Sequence, residues 1–308
     1  MILIITHKAD ITADFVINKL NKKGINYKRF NCEDIFTSDL TFNFTDKLEY
    51  SILGDNSYHS VWFRRTKLPP VEGLAKDKTL YILNETDSLL RNMFAILPVK
   101  WLSSPSSVFD AENKLHQLRV AQRIGFTIPE TVVTTSKDQL RKFFHDNHQD
   151  IIIKPIARTR VDSVESPSFF FTSIVGQKFI DEIEEYDLTP CLFQRNIPKE
   201  YEIRVTVVGS TVFAASVDSQ SDIETKVDWR KKKLKFARVE LPESVSEMCV
   251  QLLVELRLKF GAIDLIKTPD GKYVFLEINP NGQWVWIENE TGQKISEAII
   301  DFLTNNDE

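Results

Sequence analysis

The sequence predicts an α/β chain with α+β elements, organised as two or three subdomains. A strand-helix-strand unit opens the chain, strands and helices go on alternating through its middle, and two short strands joined by Thr268-Pro269-Asp270-Gly271 stand near its end. At 308 residues the chain exceeds one small core.

Ile2 to Thr6 reads as a strand, Asp10 to Lys22 as an amphipathic helix stopped by Gly24, and Asn26 to Asn31 as a second, parallel strand. Ser60-Val-Trp-Phe-Arg-Arg adds a strand, Leu80 to Phe94 a helix, and the residues around Trp101 a short strand, closing a first unit near Pro105. From Phe109 a helix runs to Gly125, followed by a proline turn and a strand. A helix over Lys137 to His145 then precedes Ile151-Ile-Ile-Lys-Pro. The segment from Cys191 to Gly209 passes from apolar to polar and back to a β-rich run, as an interdomain connection does.

Composition excludes several classes of function. With 44 acidic and 39 basic residues the net charge is -5, which gives no global case for nucleic acid. Cys32, Cys191 and Cys249 are far apart, with no CxxC pair and no histidine at metal spacing, so they read as buried thiols in a reducing compartment. No apolar run is long enough for a bilayer, and a cytoplasmic location is expected.

Chemistry concentrates in the stretch FLEINPNGQW, Phe275 to Trp284, preceded by Asp264. Alternation puts Glu277 and Asn279 on one strand face, and a hairpin partner can bring Asp264 alongside. Three hard oxygen ligands suit Mg²⁺, and apolar flanks at Ile263, Leu265, Phe275, Leu276 and Ile278 place these acids where unpaired charge is costly. The expected chemistry is that of ATP. Lys154 ends an isoleucine strand, where its long cation can reach a phosphate or simply sit in solvent. Around Gln194 to Ile197 the backbone can meet an adenine edge. Glu202 and Arg204 share a strand face, either as a surface ion pair or as catalytic groups.

Asn113-Lys114, the strand ending in Lys154-Pro155, Gln194 to Ile197, Glu202-x-Arg204, Asp264 and Glu277-x-Asn279 together resemble the ATP-grasp ligases over residues 106 to 308. No Walker A glycine loop competes for the phosphate role. The resemblance implies an ATP-grasp fold: an N-terminal pre-ATP-grasp unit over 1–105, a central subdomain over 106–190 and a C-terminal subdomain over 191–308. Val61-Trp-Phe-Arg-Arg, the strand from Tyr201 and Glu277-Ile-Asn-Pro-Asn-Gly-Gln-Trp are further similar to the microviridin-type peptide ligases, which make graspetides.

That likeness implies phosphorylation of Asp or Glu side chains in a ribosomal precursor peptide, then coupling to Thr or Ser hydroxyls or Lys amines as ω-esters or ω-amides. It implies Asp264, Glu277 and Asn279 around Mg²⁺, and Lys114 and Lys154 as fixed charge on ATP. Gln194, Asn196 and Ile197 would line the adenine pocket, with Glu200 or Glu202 on the ribose. Arg204 would face phosphate, and Glu202 the incoming nucleophile. The family carries either Asp or Glu at this position, so Glu202 does not separate ester from amide. A homodimer is expected from the same likeness. The alternatives are a RimK-like ligase acting on a small acid or protein terminus, and a noncatalytic ATP-binding module.

Four further features invite roles. Of the consecutive Arg64 and Arg65, one can face the cleft and hold acidic peptide side chains. Phe169 to Phe171, within 157–176, offer leader-peptide docking or core packing. The basic tract from Asp228 reads as a solvated loop or a cover over ATP or an acidic peptide. Trp284 and Trp286 share a face, with Trp284 the better candidate for cleft packing and substrate contact.

Overall fold

The computed structural model describes residues 1–157, 160–161, 168–186 and 189–305, with backbone pairing alone for 160–161 and 168–169. The chain opens with β1 (Ile2–Thr6), α1 (Ile11–Lys23) and β2 (Tyr27–Asn31). Helix α1 starts where the Asp10 side chain accepts from the Thr12 and Ala13 amides, and it stops at Gly24, whose φ of 66° suits glycine. An antiparallel pair, β3 (Leu40–Phe44) and β4 (Leu48–Ile52), follows. Then come β5 (Ser60–Phe63), α2 (Lys76–Ile96) and β6 (Lys100–Leu102), completing a parallel sheet in the order β2-β1-β5-β6.

The helix expected from Phe109 is two helices, α3 (Pro105–Ala111) and α4 (Lys114–Arg123). Asn113 divides them because its side chain accepts from the Leu115 and His116 amides and so caps α4, which makes Lys114 the first residue of that helix.

The central layer comprises β7 (Thr131–Thr134), α5 (Lys137–Asp146), β8 (Ile151–Lys154), the short pair β9 (Arg160–Val161) and β10 (Ser168–Phe169), β11 (Ser173–Ile174), α6 (Gln177–Asp181) and β12 (Cys191–Arg195). Its sheet runs β11-β8-β12-β7 over its own apolar cluster of Leu140, Phe144, Ile151, Ile180 and Phe193. Because β12 pairs with both β7 and β8, the change of sheet falls between Arg195 and Tyr201, later than the break expected at 190.

The last sheet, β15-β14-β13-β16-β17, is built from β13 (Tyr201–Val208), β14 (Thr211–Val217), β15 (Phe236–Arg238), β16 (Phe260–Lys267) and β17 (Tyr273–Asn279). Helix α7 (Glu243–Glu255) precedes β16, and α8 (Val285–Thr291) and α9 (Ile295–Thr304) follow β17. One face of the sheet is apolar: Ile203, Val205, Val207, Ile263, Leu265, Phe275 and Ile278 join Val245, Cys249 and Leu252 of α7 in the main core. Period-two alternation leaves the opposite face to Glu202, Arg204 and Asp264.

The N-terminal sheet is not a separate body. Leu3, Ile5, Val61 and Phe63 belong to the main core, while Ile2, Ile4 and Trp62 share a second cluster with Val208, Trp284, Ile299 and Leu303. Among the described residues no helix is long and apolar enough to cross a membrane. Cys32 and Cys249 are buried and Cys191 half-buried, all as free thiols.

Candidate active site

One cavity lies between the central and C-terminal sheets, lined by Lys114, Lys154, Gln194 to Ile197, Lys199, Glu202, Asp228 to Arg230, Asp264 and Glu277. Adjacent strands supply its acids. Arg204 of β13 faces Asp264 of β16, which in turn faces Glu277 of β17. The last pairing depends on a shift of register between Asp264 and Leu265, since Leu265 pairs with Phe275, so Leu276 is the extra residue of a bulge. In a regular ladder Leu276 would oppose Asp264, and Glu277 would turn to the apolar face beside Ile263.

The charges interlock. Arg204 Nη1 lies 2.9 Å from Asp264, and Lys114 Nζ lies 3.2 Å from Glu277 and 3.1 Å from the Pro155 carbonyl. Lys199 Nζ donates to Glu202 at 2.9 Å and to the Val227 carbonyl at 3.1 Å. Arg230 forks onto Asp228 at 2.7 and 2.6 Å, and Asp228 also accepts from the Thr172 amide at 3.2 Å.

Burial raises the Asp264 carboxyl to about 6; Arg204 opposes that shift and the facing Glu277 adds to it. Burial also raises Glu277, but Lys114, Lys154 and Arg230 outweigh it and hold that carboxyl below its usual value. Burial lowers Lys154 to about 8, with the neighbouring Lys114 acting in the same direction. Two opposed carboxylates, one of them reluctant to ionise, mark a place short of positive charge despite the cations around it.

The sequence expectations divide. Lys114, Lys154, Gln194, Asn196, Ile197, Glu202, Asp264 and Glu277 all line the cavity. Arg204 joins them through Asp264 but is only 8 % exposed, and its Nε is buried without a partner. Glu202 and Arg204 pair with Lys199 and Asp264 rather than with each other, so the surface ion pair is not formed. Asn279 follows Glu277 on β17, opposite Ala262, and stands outside the lining. Glu200 is exposed and also outside it, its amide bound to the Lys267 carbonyl; of the two acids considered for the ribose, only Glu202 reaches the cavity.

Two substrate-contact expectations are corrected. Trp284 is 0 % exposed and packs edge-on to Phe15, so it belongs to the core. Strand β5 ends at Phe63, and Arg64 just beyond it is 1 % exposed and paired with Asp10 at 3.2 Å. Arg65 is exposed and does not line the cavity. The leader-docking stretch over 157–176 falls largely outside the described residues; Phe170 is exposed and Phe171 half-buried.

Sequence reasoning assigned no site role to Lys199 or Thr172, and it gave Asp228 and Arg230 only a generic cover. The Asp-x-Arg spacing was the available signal, because an Asp capping a tight turn accepts from the amide two residues on and meets that residue's guanidinium, as Asp228 does with Arg230 over the 3-10 turn Trp229–Lys231.

Among the described residues no group of three or more His, Cys, Asp or Glu is placed to hold a metal ion. The donors present are two facing carboxylates and the nearby Asn279 amide, a hard-oxygen set that fits a small divalent cation sharing ligands with phosphate.

A family model for the ATP-grasp domain of prokaryotic glutathione synthetase matches residues 113–279. No curated protein sequence matches the chain. Among solved structures, the macrocyclase MdnC from Microcystis aeruginosa MRC, bound with precursor peptide MdnA, is 28% identical with a TM-score of 0.87, covering 99% of both chains. A RiPP-associated ATP-grasp ligase from Chryseobacterium gregarium, in complex with ADP and a leader and core peptide, is 30% identical with a TM-score of 0.88, covering 98% of this chain and 96% of that one. The macrocyclase MdnB from Microcystis aeruginosa MRC is 32% identical with a TM-score of 0.81, covering 98% of each. A RimK domain protein from Sphaerobacter thermophilus DSM 20745, 13% identical with a TM-score of 0.60, shares the fold. The chain belongs to the ATP-grasp family, stands with its RiPP-associated ligases, and is an ATP-dependent ligase.

Proposed function

We propose that this ligase closes rings within a ribosomal precursor peptide, joining Asp or Glu side chains to Thr or Ser hydroxyls or Lys amines. The observation that carries the reading is the Asp264–Glu277 pair ringed by Lys114, Lys154, Lys199, Arg204 and Arg230 in a cavity that ends at Gln194 to Ile197. Relatives of 28% to 32% identity over nearly the whole chain, two of them solved with precursor, leader or core peptide, support the choice of substrate.

A side-chain carboxylate is a poor electrophile, and phosphorylation remedies this. The carboxylate oxygen attacks the γ-phosphorus of ATP and ADP leaves. The hydroxyl or amine then attacks the acyl carbon, the bond to the phosphate oxygen breaks, inorganic phosphate departs and the nucleophile gives up its proton. Lys114 and Lys154 hold phosphate oxygens, Arg204 and Arg230 face the transferred group, and Glu202, held in place by Lys199, orients the nucleophile. Gln194, whose Oε1 is buried without a partner, Asn196 and Ile197 take the adenine edge. Asp264, Glu277 and Asn279 would hold Mg²⁺, which would supply positive charge to the phosphates. A homodimer and a cytoplasmic location belong to the same reading as expectations of family likeness.

The test is intact-mass spectrometry of a leader-bearing, Thr- and Glu-rich peptide encoded beside this chain, after incubation with the protein, ATP and Mg²⁺. Loss of one water mass per new bond supports the proposal, and sensitivity to mild base separates ester from amide. An unchanged peptide together with ADP formation on a small acid and an amine would replace it with the RimK-like alternative.

A further inference from the structure

The turn after β17 is held from two sides. A Cβ on Gly282 would come within 2.4 Å of Ala262 Cβ and 3.2 Å of Asn279 Cβ, so the turn is pressed onto the neighbouring strand β16. The next residue, Gln283, reaches the N-terminal sheet, where its Oε1 accepts from Arg64 Nη2 at 3.4 Å and from Thr12 Oγ1.

Arg64 is itself fixed. Its Nε donates to Asp10 Oδ2 at 3.2 Å, its amide to the Ile5 carbonyl at 2.8 Å, and its guanidinium lies 5.4 Å from the Trp62 ring. Asp10 accepts from Thr6 Oγ1 at 2.7 Å and caps α1. A rigid polar chain therefore runs from the start of α1 to a residue four positions beyond Asn279.

We propose that Arg64, acting through Gln283, positions the Asn279–Gln283 turn and thereby sets how Asn279 and Glu277 hold the divalent cation. The inference rests on the metal reading above and makes Arg64 a positioning residue, in place of the peptide contact the sequence suggested. A guanidinium 1 % exposed, with its carboxylate already in place, has no surface to offer a peptide. Groups that orient ligands from behind change metal affinity by about 10- to 100-fold when removed.

Calorimetric titration of the full chain with ADP, in the presence and absence of Mg²⁺, tests this without the peptide reaction. In Gln283→Ala the gain in ADP affinity that Mg²⁺ confers should fall by about tenfold while metal-free ADP affinity stays unchanged. Gln283→Glu, which keeps an acceptor oxygen for Arg64 and Thr12, should lie closer to wild type. Arg64→Lys, which keeps the charge but loses the fork, should resemble Gln283→Ala, its fold being checked by circular dichroism. A full Mg²⁺ gain in Gln283→Ala, or the reverse order of the two Gln283 variants, would overturn the inference alone. No Mg²⁺ gain in the wild type would overturn the metal reading and the inference together.

Discussion

Among the described residues, Arg64–Asp10 and Arg204–Asp264 are arginine-aspartate pairs largely buried on both sides, and their carboxyls behave oppositely. In Arg64–Asp10 the side chains are 1% and 2% exposed, and in Arg204–Asp264 they are 9% and 15%. Burial raises both carboxyls, yet Asp10 ends below its usual value whereas Asp264 ends at about 6. Asp10 has Arg64, the Thr6 hydroxyl and the Ala13 amide, all favouring the ion. Asp264 has Arg204 but also faces Glu277 and lies near Glu202. One pair is complete; the other still lacks positive charge, as a site for a cation and a polyphosphate should.

The contrast breaks most sharply on activity. Asp264→Asn and Glu277→Gln should each lower the rate of ADP formation by about 10³-fold, because the positioned cation supplies several kcal/mol of charge stabilisation. The melting temperature of Asp264→Asn should not fall, since burial and the facing Glu277 disfavour that charge, whereas Glu277→Gln should be less stable because it leaves Lys114 without its carboxylate. Unaltered turnover in both would remove the metal assignment.

In the closed pair the effect should move from rate to stability. Arg64→Ala leaves Asp10 buried without its counter-charge and should cost about 3–5 kcal/mol in chemical denaturation. A loss below about 1 kcal/mol would mean that the hydroxyl and amide donors alone sustain the carboxylate.

Gly282→Ala probes the turn between the two regions. A Cβ 2.4 Å from that of Ala262 forces backbone movement and should cost about 1–3 kcal/mol, with weaker nucleotide binding in Mg²⁺ than without it.

The smallest effect is in pH. Because the folded pKa of Asp10 is depressed, its contribution to stability is present above the unfolded value of about 3.9 and is lost as pH falls through the folded one. Unfolding free energy measured between pH 5 and pH 2.5 should decline less steeply in Asp10→Asn than in wild type.

Much of this was legible in the residues. The Glu277-x-Asn279 spacing and the hairpin pointed to Asp264 and Glu277, and an isoleucine run ending in Lys154-Pro155 pointed to the cation, because both are local patterns, whereas the bulge at Leu276 that turns Glu277 from the apolar face left no such signal. The fate of Arg64 was not, since its partner is 54 residues away and only the parallel pairing of β1 with β5 brings them together. Trp284 looked like a cleft residue because its polarity is ambiguous; Phe15, from the far end of the chain, decides it. Arg230 was hidden in a basic tract whose composition suggests solvent, and Asp228 is what draws it inward.

The extra residue Leu276 makes the hairpin a counted object. Deleting it would close the bulge and leave Glu277 opposite Asp264 and Ile278 opposite Ile263, whereas pairing it into a regular ladder would set Leu276 opposite Asp264 and turn Glu277 to the apolar face. The face that Glu277 presents is therefore set by the unpaired residue before it, and a change that drew Leu276 into the ladder would act like a frameshift read in side chains. Engineered relatives can vary the chemistry of this strand more freely than its pairing.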